Sequence, residues 1–189
     1  MTTFRKTLWF ILIGILIVLC LAVYAAWPFL LKMVYPIKYQ QYVDAYSKQF
    51  NVDRFLVYSV IKAESQFNPI AQSGKGAKGL MQITNSTGGW AFYTLDKQGF
   101  EPELLFDPET NVMVGTWYLS WLMNEFNDNL ELVICAYNCG HGRVKQWLMD
   151  ESVSESGKSL DRIPFSETRD FMNRVLKYYK VYNSIYAQK

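Results

Sequence analysis

Residues 64–82 read ESQFNPIAQSGKGAKGLMQ, a glutamate followed by a polar, glycine-bearing stretch. The positions three, four and seven residues before Glu64 are all apolar: Ile61, Val60 and Val57. On a helix these residues share one face with Glu64, so the carboxylate is expected to lie on the stripe that faces the core. Burial raises the pKa of a carboxyl group, which a general acid at neutral pH requires. Periodicity alone also fits a glutamate that reaches solvent or pairs with Lys62 or Lys75.

The chain downstream of Tyr39 is predicted to be mainly α-helical, because apolar residues recur at helical spacing and no stretch alternates convincingly every two residues. The predicted helices are 39–50, one that begins after Asn51 or Asp53 and runs to about residue 65, one from Asp107 and Pro108 to about residue 126, 130–137, 143–149, and a last one capped by Ser166. The last helix places five apolar residues on one face: Phe171, Val175, Tyr178, Tyr182 and Ile185. Residues 70–79 and 150–161 are expected to be loops, and 88–99 could hold a turn or a short ribbon.

Two further blocks stand downstream of residues 64–82. They are Ala136-Tyr137-Asn138 and Ile163-Pro164-Phe165-Ser166-Glu167-Thr168. In this order, and with the ungapped run from Glu-Ser through Ala-x-Ser to Gly-Ala-x-Gly-Leu-Met-Gln, the blocks resemble the catalytic domain of the family 1 (Slt-type) lytic transglycosylases. The resemblance covers roughly Tyr39 to Tyr186. It implies a helical, goose-lysozyme-like domain with a cleft for a glycan strand.

The resemblance matches Glu64 to the single catalytic acid/base of that family. In the family's mechanism, the glutamic acid protonates the oxygen between N-acetylmuramic acid and N-acetylglucosamine, and the substrate's acetamido group stabilises the cationic centre. The glutamate then takes the proton of the muramyl 6-hydroxyl, and a 1,6-anhydro ring closes. Most glycosidases use two carboxylates. No second acidic residue stands in this block, although a distant one such as Asp107 could fold into the cleft.

Five other residues match family positions at the cleft and are expected to bind substrate: Ser73, Gln82, Tyr137, Asn138 and Glu167. A hydroxyl and a primary amide suit the hydroxyl and acetamido groups of a sugar. A structural role stays open for each of them: a loop cap for Ser73, a hydrogen bond at a helix start for Gln82, a core position for Tyr137, a turn for Asn138 and a helix first turn for Glu167.

Three residues of the first block, Gly76, Gly79 and Met81, are expected to shape the loop and the cleft wall. Two residues depart from the family pattern. Cys139 stands where the family usually has alanine, and Phe171 stands where many members carry tyrosine. A substrate contact made by that tyrosine hydroxyl would be missing in this chain.

An apolar run precedes the helical part. Thr7–Leu31 carry no charge and lie between Lys6 and Lys32. About 20 apolar residues span a bilayer, so we predict a cytoplasmic N-terminus at 1–7, one transmembrane helix at 8–31 and a lytic transglycosylase domain at 32–189. The positive charges of Arg5 and Lys6 favour a cytoplasmic N-terminus. The expected location is therefore the plasma membrane, single-pass, with the catalytic domain on the extracytoplasmic side.

Two other fates of the apolar run fit the sequence less well. A cleaved signal peptide has an apolar part of about 7–15 residues followed by a small-x-small site, and this run is longer, with Trp27-Pro28 after Ala25-Ala26. A lipoprotein attached at Cys20 would have bulky Leu19 before the cysteine.

Composition limits the remaining partners. The formal net charge is +2, and Lys and Arg do not interleave with aromatics as in a strand-binding groove, so no nucleic acid is expected. One histidine and three cysteines do not supply the four ligands of a structural zinc site, so neither metal nor cofactor is expected. The expected partners are peptidoglycan glycan strands and the plasma membrane, for a monomer.

Two other functions remain open. Attack by water on the same fold would make the protein a hydrolytic muramidase of the lysozyme type. An inactive glycan-binding scaffold is a third possibility, although the presence of Glu64, Ser73, Gln82 and Tyr137 argues against it.

Overall fold

A computed structural model describes residues 2–187, without the side chains of residues 2, 3, 5, 6 and 11. Within that range the helices are α1 Thr2–Val34, α2 Gln40–Phe50, α3 Arg54–Glu64, α4 Asn85–Thr94, a 3-10 helix Pro102–Phe106, α5 Pro108–Glu125, α6 Leu130–Cys139, α7 His141–Met149 and α8 Ser166–Tyr186. Residues 2–187 contain no β-strand, and two isolated antiparallel bridges join Lys78 to Gln72 and to Ile83. The predicted mainly α fold is confirmed.

Side-chain caps begin the two helices for which start signals were strongest. The Asp53 carboxylate accepts from the Phe55 amide at 2.7 Å and caps α3. Asn51 instead ends α2 in the left-handed region, with φ 54°. Asp107 accepts from the Thr110 amide at 2.8 Å and caps α5. At α8 the prediction is one residue off, because Ser166 is the first helical residue and the N-cap, Phe165, makes no side-chain cap.

Residues 88–99 hold most of a helix, where the sequence suggested a turn or a ribbon. α4 begins after Thr84, whose hydroxyl accepts from the Thr87 amide at 3.2 Å. Gly88 lowers helix propensity, but a Cβ at this position would lie 2.7 Å from the Phe100 ring. The glycine therefore permits close packing, and Trp90 stacks edge-on against α5.

The core lies where α3 and α6 pack on α8 and where α5 packs on α2, α4 and α6. The α3 stripe before Glu64 is fully buried, as the spacing predicted. On α8, Phe171 is 2% exposed and belongs to this core. A tyrosine at position 171 would place its ring in this core. The difference from the family pattern at Phe171 therefore changes core packing before it changes any substrate contact.

One side chain of α5 fixes the loop between α3 and α4. Asn111 is fully buried. Its amide nitrogen donates to the Lys78 carbonyl at 2.8 Å and the Leu105 carbonyl at 2.7 Å, and its oxygen accepts from the Met81 amide at 2.7 Å. Gly79 lies directly against it with φ +76°, and a Cβ there would collide with Asn111 and with the Leu105 carbonyl. The loop can therefore pass over α5 only with glycine at this position.

Helix α1 stands outside the core except at its C-terminal end, where Leu31 packs against it. Its Thr7–Val34 part has a mean hydropathy of 2.9 and is long and apolar enough to cross a membrane, judged by length and composition. The helix extends three residues beyond the predicted end at residue 31. Met1, Gln188 and Lys189, at the outer ends of the predicted domain boundaries, lie outside the described residues, as do the side chains of Arg5 and Lys6.

We expect Asn111→Ala to lower the free energy of unfolding by about 3 kcal/mol, because the Met81 amide and the Leu105 carbonyl lose their Asn111 partner. The Lys78 carbonyl keeps only its bond from the Ile83 amide. Urea unfolding followed by circular dichroism measures the change. Asn173→Ala removes an exposed amide from α8 and should change stability by less than about 0.5 kcal/mol. Equal stabilities of the two variants would contradict the role of Asn111.

Candidate active site

Glu64 is the last residue of α3 and lies at a cavity of about 450 Å³. The fold brings together all six predicted site residues along its wall: Glu64, Ser73, Gln82, Tyr137, Asn138 and Glu167. They come from the end of α3, the following loop, the end of α6 and the start of α8. The other suspected carboxylate, Asp107, lines a different cavity beside Tyr46.

A second cavity of about 300 Å³ adjoins the first. The two share four lining residues, Gln82, Thr84, Tyr137 and Asn138. The second cavity continues along Tyr118 and Cys139 to Gly140. Together they form an elongated cleft, with Glu64 in one half, as an extended polymer would require.

The Glu64 carboxyl group is half-buried. Burial raises its pKa from 4.5 to about 8, the Arg174 guanidinium opposes this rise, and the Glu167 carboxylate adds to it. No hydrogen bond or ion pair holds the Glu64 side chain within the described part of the chain. The carboxyl group is therefore protonated at neutral pH and free to face a ligand.

The two lysines that could have paired with Glu64 are engaged elsewhere. Lys62 donates to the Val34 carbonyl at 2.6 Å. Lys75 lies 3.9 Å from the Glu167 carboxylate, with both side chains largely exposed. Glu64 is thus a partly buried acid on the core stripe and not a surface carboxylate with a lysine partner.

Tyr137 joins the loop between α3 and α4 to α6. Its hydroxyl donates to the Met81 carbonyl at 2.8 Å. Burial raises the pKa of this phenol well above 10, and the charges of Glu64 and Tyr118 add to the rise. Because its proton is committed to Met81, the Tyr137 oxygen can still accept a hydrogen bond on the Glu64 side.

Ser73 and Gln82 both have structural partners in the loop. The Ser73 hydroxyl accepts from the Ala77 amide at 3.0 Å. Gln82 has φ 50°, and its amide nitrogen donates to the carbonyls of Ala71 at 3.1 Å and Gly79 at 3.0 Å. These bonds leave the Gln82 side-chain oxygen and the Ser73 hydroxyl proton for a ligand in the cavity.

Asn138 and Glu167 line the cavity from α6 and α8. The Asn138 side-chain oxygen accepts from the Thr168 hydroxyl at 2.8 Å and ties α6 to the start of α8. Glu167 is exposed at the mouth of the cavity, in the first turn of α8. Its carboxylate is favoured there by the helix dipole, so both residues have a structural role besides their place in the cavity.

Sequence reasoning missed three contributors to this site. Lys75 and Thr84 line the cavity, and Asn111 holds the loop from behind. The one available signal was an asparagine directly before the apolar run of α5 that starts at Val112. No group of three or more His, Cys, Asp or Glu side chains within the described residues could hold a metal ion.

Comparison with known proteins gives consistent matches. Residues 41–159 match the family model described as the transglycosylase SLT domain. The chain is 33% identical over 159 residues to the soluble lytic murein transglycosylase of Salmonella typhimurium, across 82% of this chain and 24% of that protein. It is 36% identical over 116 residues to the membrane-bound lytic murein transglycosylase C of Serratia proteamaculans, across 57% of this chain and 32% of that protein.

A solved structure gives the same result. The 70 kDa soluble lytic transglycosylase of Escherichia coli superimposes with a TM-score of 0.73 at 32% identity, over 82% of this chain and 25% of that one. The predicted lysozyme-like helical fold is confirmed by this match. The chain spans about a quarter to a third of the length of these relatives.

Removal of the buried carboxyl group should stabilise the fold in a pH-dependent way. A raised pKa means that the folded state holds the proton more tightly than the unfolded chain, so wild-type stability falls between about pH 4.5 and pH 8. Glu64→Gln lacks this loss. The full pKa shift corresponds to about 5 kcal/mol, and partial exposure of Glu64 to solvent reduces this value. At pH 9 Glu64→Gln should therefore be more stable than the wild type by about 3 kcal/mol, and near pH 4.5 the two should agree.

Thermal and urea unfolding across this pH range measure the difference. Glu151→Gln, on the exposed loop after α7, is the matched control and should follow the wild type at every pH. A constant difference between Glu64→Gln and the wild type would mean that Glu64 is not the desolvated acid.

Proposed function

The chain belongs to the family of the transglycosylase SLT domain, and on that premise we propose that it is a lytic transglycosylase that cleaves peptidoglycan glycan strands. The observation that carries the proposal is the half-buried, unpaired Glu64 in the cleft, with a pKa of about 8. Such a group holds a proton at neutral pH and can release it to a leaving oxygen. The bond is the β-1,4 link from N-acetylmuramic acid to N-acetylglucosamine.

In the first step Glu64 acts as the acid. Its proton passes to the glycosidic oxygen, the bond from the muramyl C1 to that oxygen breaks, and the N-acetylglucosamine end leaves as an alcohol. Glu64 is then a carboxylate. The substrate's own acetamido oxygen stabilises the positive charge at C1, which makes a second protein carboxylate unnecessary for this step.

In the second step Glu64 acts as the base. It accepts the proton of the muramyl 6-hydroxyl while that oxygen bonds to C1, and the 1,6-anhydro ring closes. The proton lost in the first step is regained, and no water is consumed. A pKa near the working pH suits a residue that must serve both as acid and as base.

Glu167 is a second carboxylate in the cavity, and we assign it to substrate binding. Its side chain is 76% exposed and lies beside Lys75 at the mouth. A solvated carboxylate beside a lysine is not the desolvated group that the acid role requires. A polar sugar or stem-peptide group entering the cleft would meet it first.

The remaining residues are proposed to orient the sugar. The free oxygen of Gln82 and the hydroxyl proton of Ser73 would contact acetamido and hydroxyl groups. Tyr137 would keep the Glu64 carboxyl group in place through its oxygen, and Asn138 would hold the start of α8 through Thr168.

We further propose that α1 anchors the protein in the plasma membrane, in a single pass, with the cleft on the extracytoplasmic side. Large apolar side chains of α1 are exposed along its length, as lipid contact requires. Tyr24 and Trp27 stand near its outer end, where aromatic residues favour the interface. The expected unit is a monomer.

Mass spectrometry of digested peptidoglycan tests the reaction. The wild type should release fragments that end in 1,6-anhydro-N-acetylmuramic acid. Glu64→Gln keeps the side-chain shape but has no acidic proton, so its rate should fall by about 1,000-fold or more. Glu151→Gln should cleave at the wild-type rate.

Reducing N-acetylmuramic ends would instead identify a hydrolytic muramidase on the same fold. Full activity in Glu64→Gln would remove Glu64 from the mechanism. Binding of glycan strands by the wild type without any cleavage would identify a scaffold protein.

Membrane fractionation tests the anchor. The full chain should stay with the membrane after washing at high salt and at alkaline pH, because α1 is held by apolar contact and not by charge. A chain that begins at Val34 should be recovered in the soluble fraction. A mature, soluble protein that begins near Trp27 would contradict the anchor.

A further inference from the structure

The end of α1 is held by side chains from two helices of the catalytic domain. Three consecutive backbone carbonyls each accept a hydrogen bond there. Lys62 of α3 donates to Val34 at 2.6 Å. From α8, Tyr186 donates to the Tyr35 carbonyl at 2.7 Å and Tyr182 donates to the Pro36 carbonyl at 3.1 Å. Carbonyls at the end of a helix lack partners within the helix, and here the catalytic domain supplies them.

The Tyr35 side chain fills the space between these donors. It is only 8% exposed and packs edge-on against Tyr178, at 5.8 Å between ring centroids, and against Tyr182, at 5.6 Å. The Lys62 ammonium lies 4.8 Å from the centre of the Tyr35 ring and 5.3 Å from that of Tyr178. We call the four receiving residues, Lys62, Tyr178, Tyr182 and Tyr186, the anchor socket.

The composition of the connection agrees with a fixed geometry. Residues 34–39 read VYPIKY and contain neither glycine nor serine, the residues of flexible linkers. Pro36 restricts its own backbone and that of Tyr35. A cation is also favoured at the C-terminal end of a helix, so Lys62 suits the end of α1 electrostatically as well as by hydrogen bonding.

The socket lies close to the catalytic acid. Lys62 and Glu64 are two residues apart on α3. A lysine side chain reaches about 6 Å and two helical residues separate Cα atoms by about 5–6 Å. The Cα atom of Glu64 therefore lies within about 15 Å of the last carbonyl of α1.

We propose that the anchor socket fixes α1 and the catalytic domain as one rigid body, so that the cleft is held at a set height and orientation above the bilayer and selects glycan strands that lie next to the membrane. The selection of strands rests on the proposed function, whereas the rigid attachment does not. A flexible tether would let the cleft sample a larger volume, so its effective concentration at any one height above the bilayer would be lower. A rigid attachment keeps the cleft at the height where glycan strands are still attached to lipid.

Two matched insertions separate a rigid mount from a loose tether. A ten-residue Gly/Ser segment between Met33 and Val34 cuts the path from the membrane helix to the socket. The same segment between Ile37 and Lys38 leaves residues 34–36 in the socket and lengthens only the loop that follows. Spin labels on cysteines at positions 33 and 149, both exposed, report the distance in full chains without native cysteines, in nanodiscs of phosphatidylethanolamine and phosphatidylglycerol.

The unaltered chain and the 37/38 insertion should each give one narrow distance distribution, and the 33/34 insertion a broad one. A combined Lys62→Met, Tyr182→Phe, Tyr186→Phe variant should also broaden it. Tyr179→Phe removes a comparable hydroxyl bond on α8, to Asp53, and should leave it narrow. A broad distribution in the unaltered chain, or equal distributions for the two insertions, overturns the proposal.

Cleavage assays then test strand selection separately. On detached glycan strands both insertions should match the unaltered chain. In proteoliposomes that carry lipid-linked strands, the 33/34 insertion should lose several-fold in rate while the 37/38 insertion keeps it. Equal rates on lipid-linked strands overturn the selection. Absence of cleavage on any strand would refute the proposed function and leave the distance result to decide the socket.

Discussion

The shape of the cleft beside Glu64 depends on the peptide groups around Met81. The Asn111 side chain of α5 accepts the Met81 amide, and the Tyr137 hydroxyl of α6 donates to the Met81 carbonyl. The Met81 side chain reaches into α5 at Gly115, where a Cβ would meet its sulfur. Helices α5 and α6 thus hold Met81 through both of its backbone polar groups. These contacts fix the path of the loop that follows α3, and with it the part of the cavity wall that the loop supplies.

The acid in the cleft is set by a balance of opposing effects. Removal from water raises the pKa of Glu64, Arg174 opposes the rise, and Glu167 supports it. The position at the C-terminal end of α3 acts in the same direction as burial, because the helix dipole disfavours a carboxylate there. Full burial beside an unopposed carboxylate would make Glu64 hold its proton too tightly for the base role proposed for it. Arg174, exposed on α8, limits the rise in the pKa of Glu64, so that both the protonated and the ionised form stay accessible.

Local patterns predicted the parts of the structure that depend on local physics. Asp53 and Asp107 cap the helices that follow them, and the apolar spacing before Glu64 placed it on the buried stripe. Helix α4 was not predicted, because its glycines lower helix propensity. The close contact between Gly88 and Phe100, on the other side of a loop, explains why glycine is present there. The roles of Asn111 and Lys62 also depend on partners that are remote in sequence, 28 to 33 residues away. Periodicity reports which face is buried, but it does not say which backbone group a buried donor will meet.

The occupied carbonyls at the end of α1 determine where the chain can be cut to give a well-behaved soluble domain. A fragment that starts at residue 39, the first residue of the predicted helical part, would leave the rings of Tyr178 and Tyr182 and the Lys62 ammonium facing an empty groove. The exposed aromatic surface of such a fragment would favour self-association during crystallisation. A fragment that starts at residue 34 keeps the Tyr35 side chain in the anchor socket. The natural cover of this surface is thus supplied by Tyr35 and Pro36, the residues that directly follow the helix assigned to the membrane.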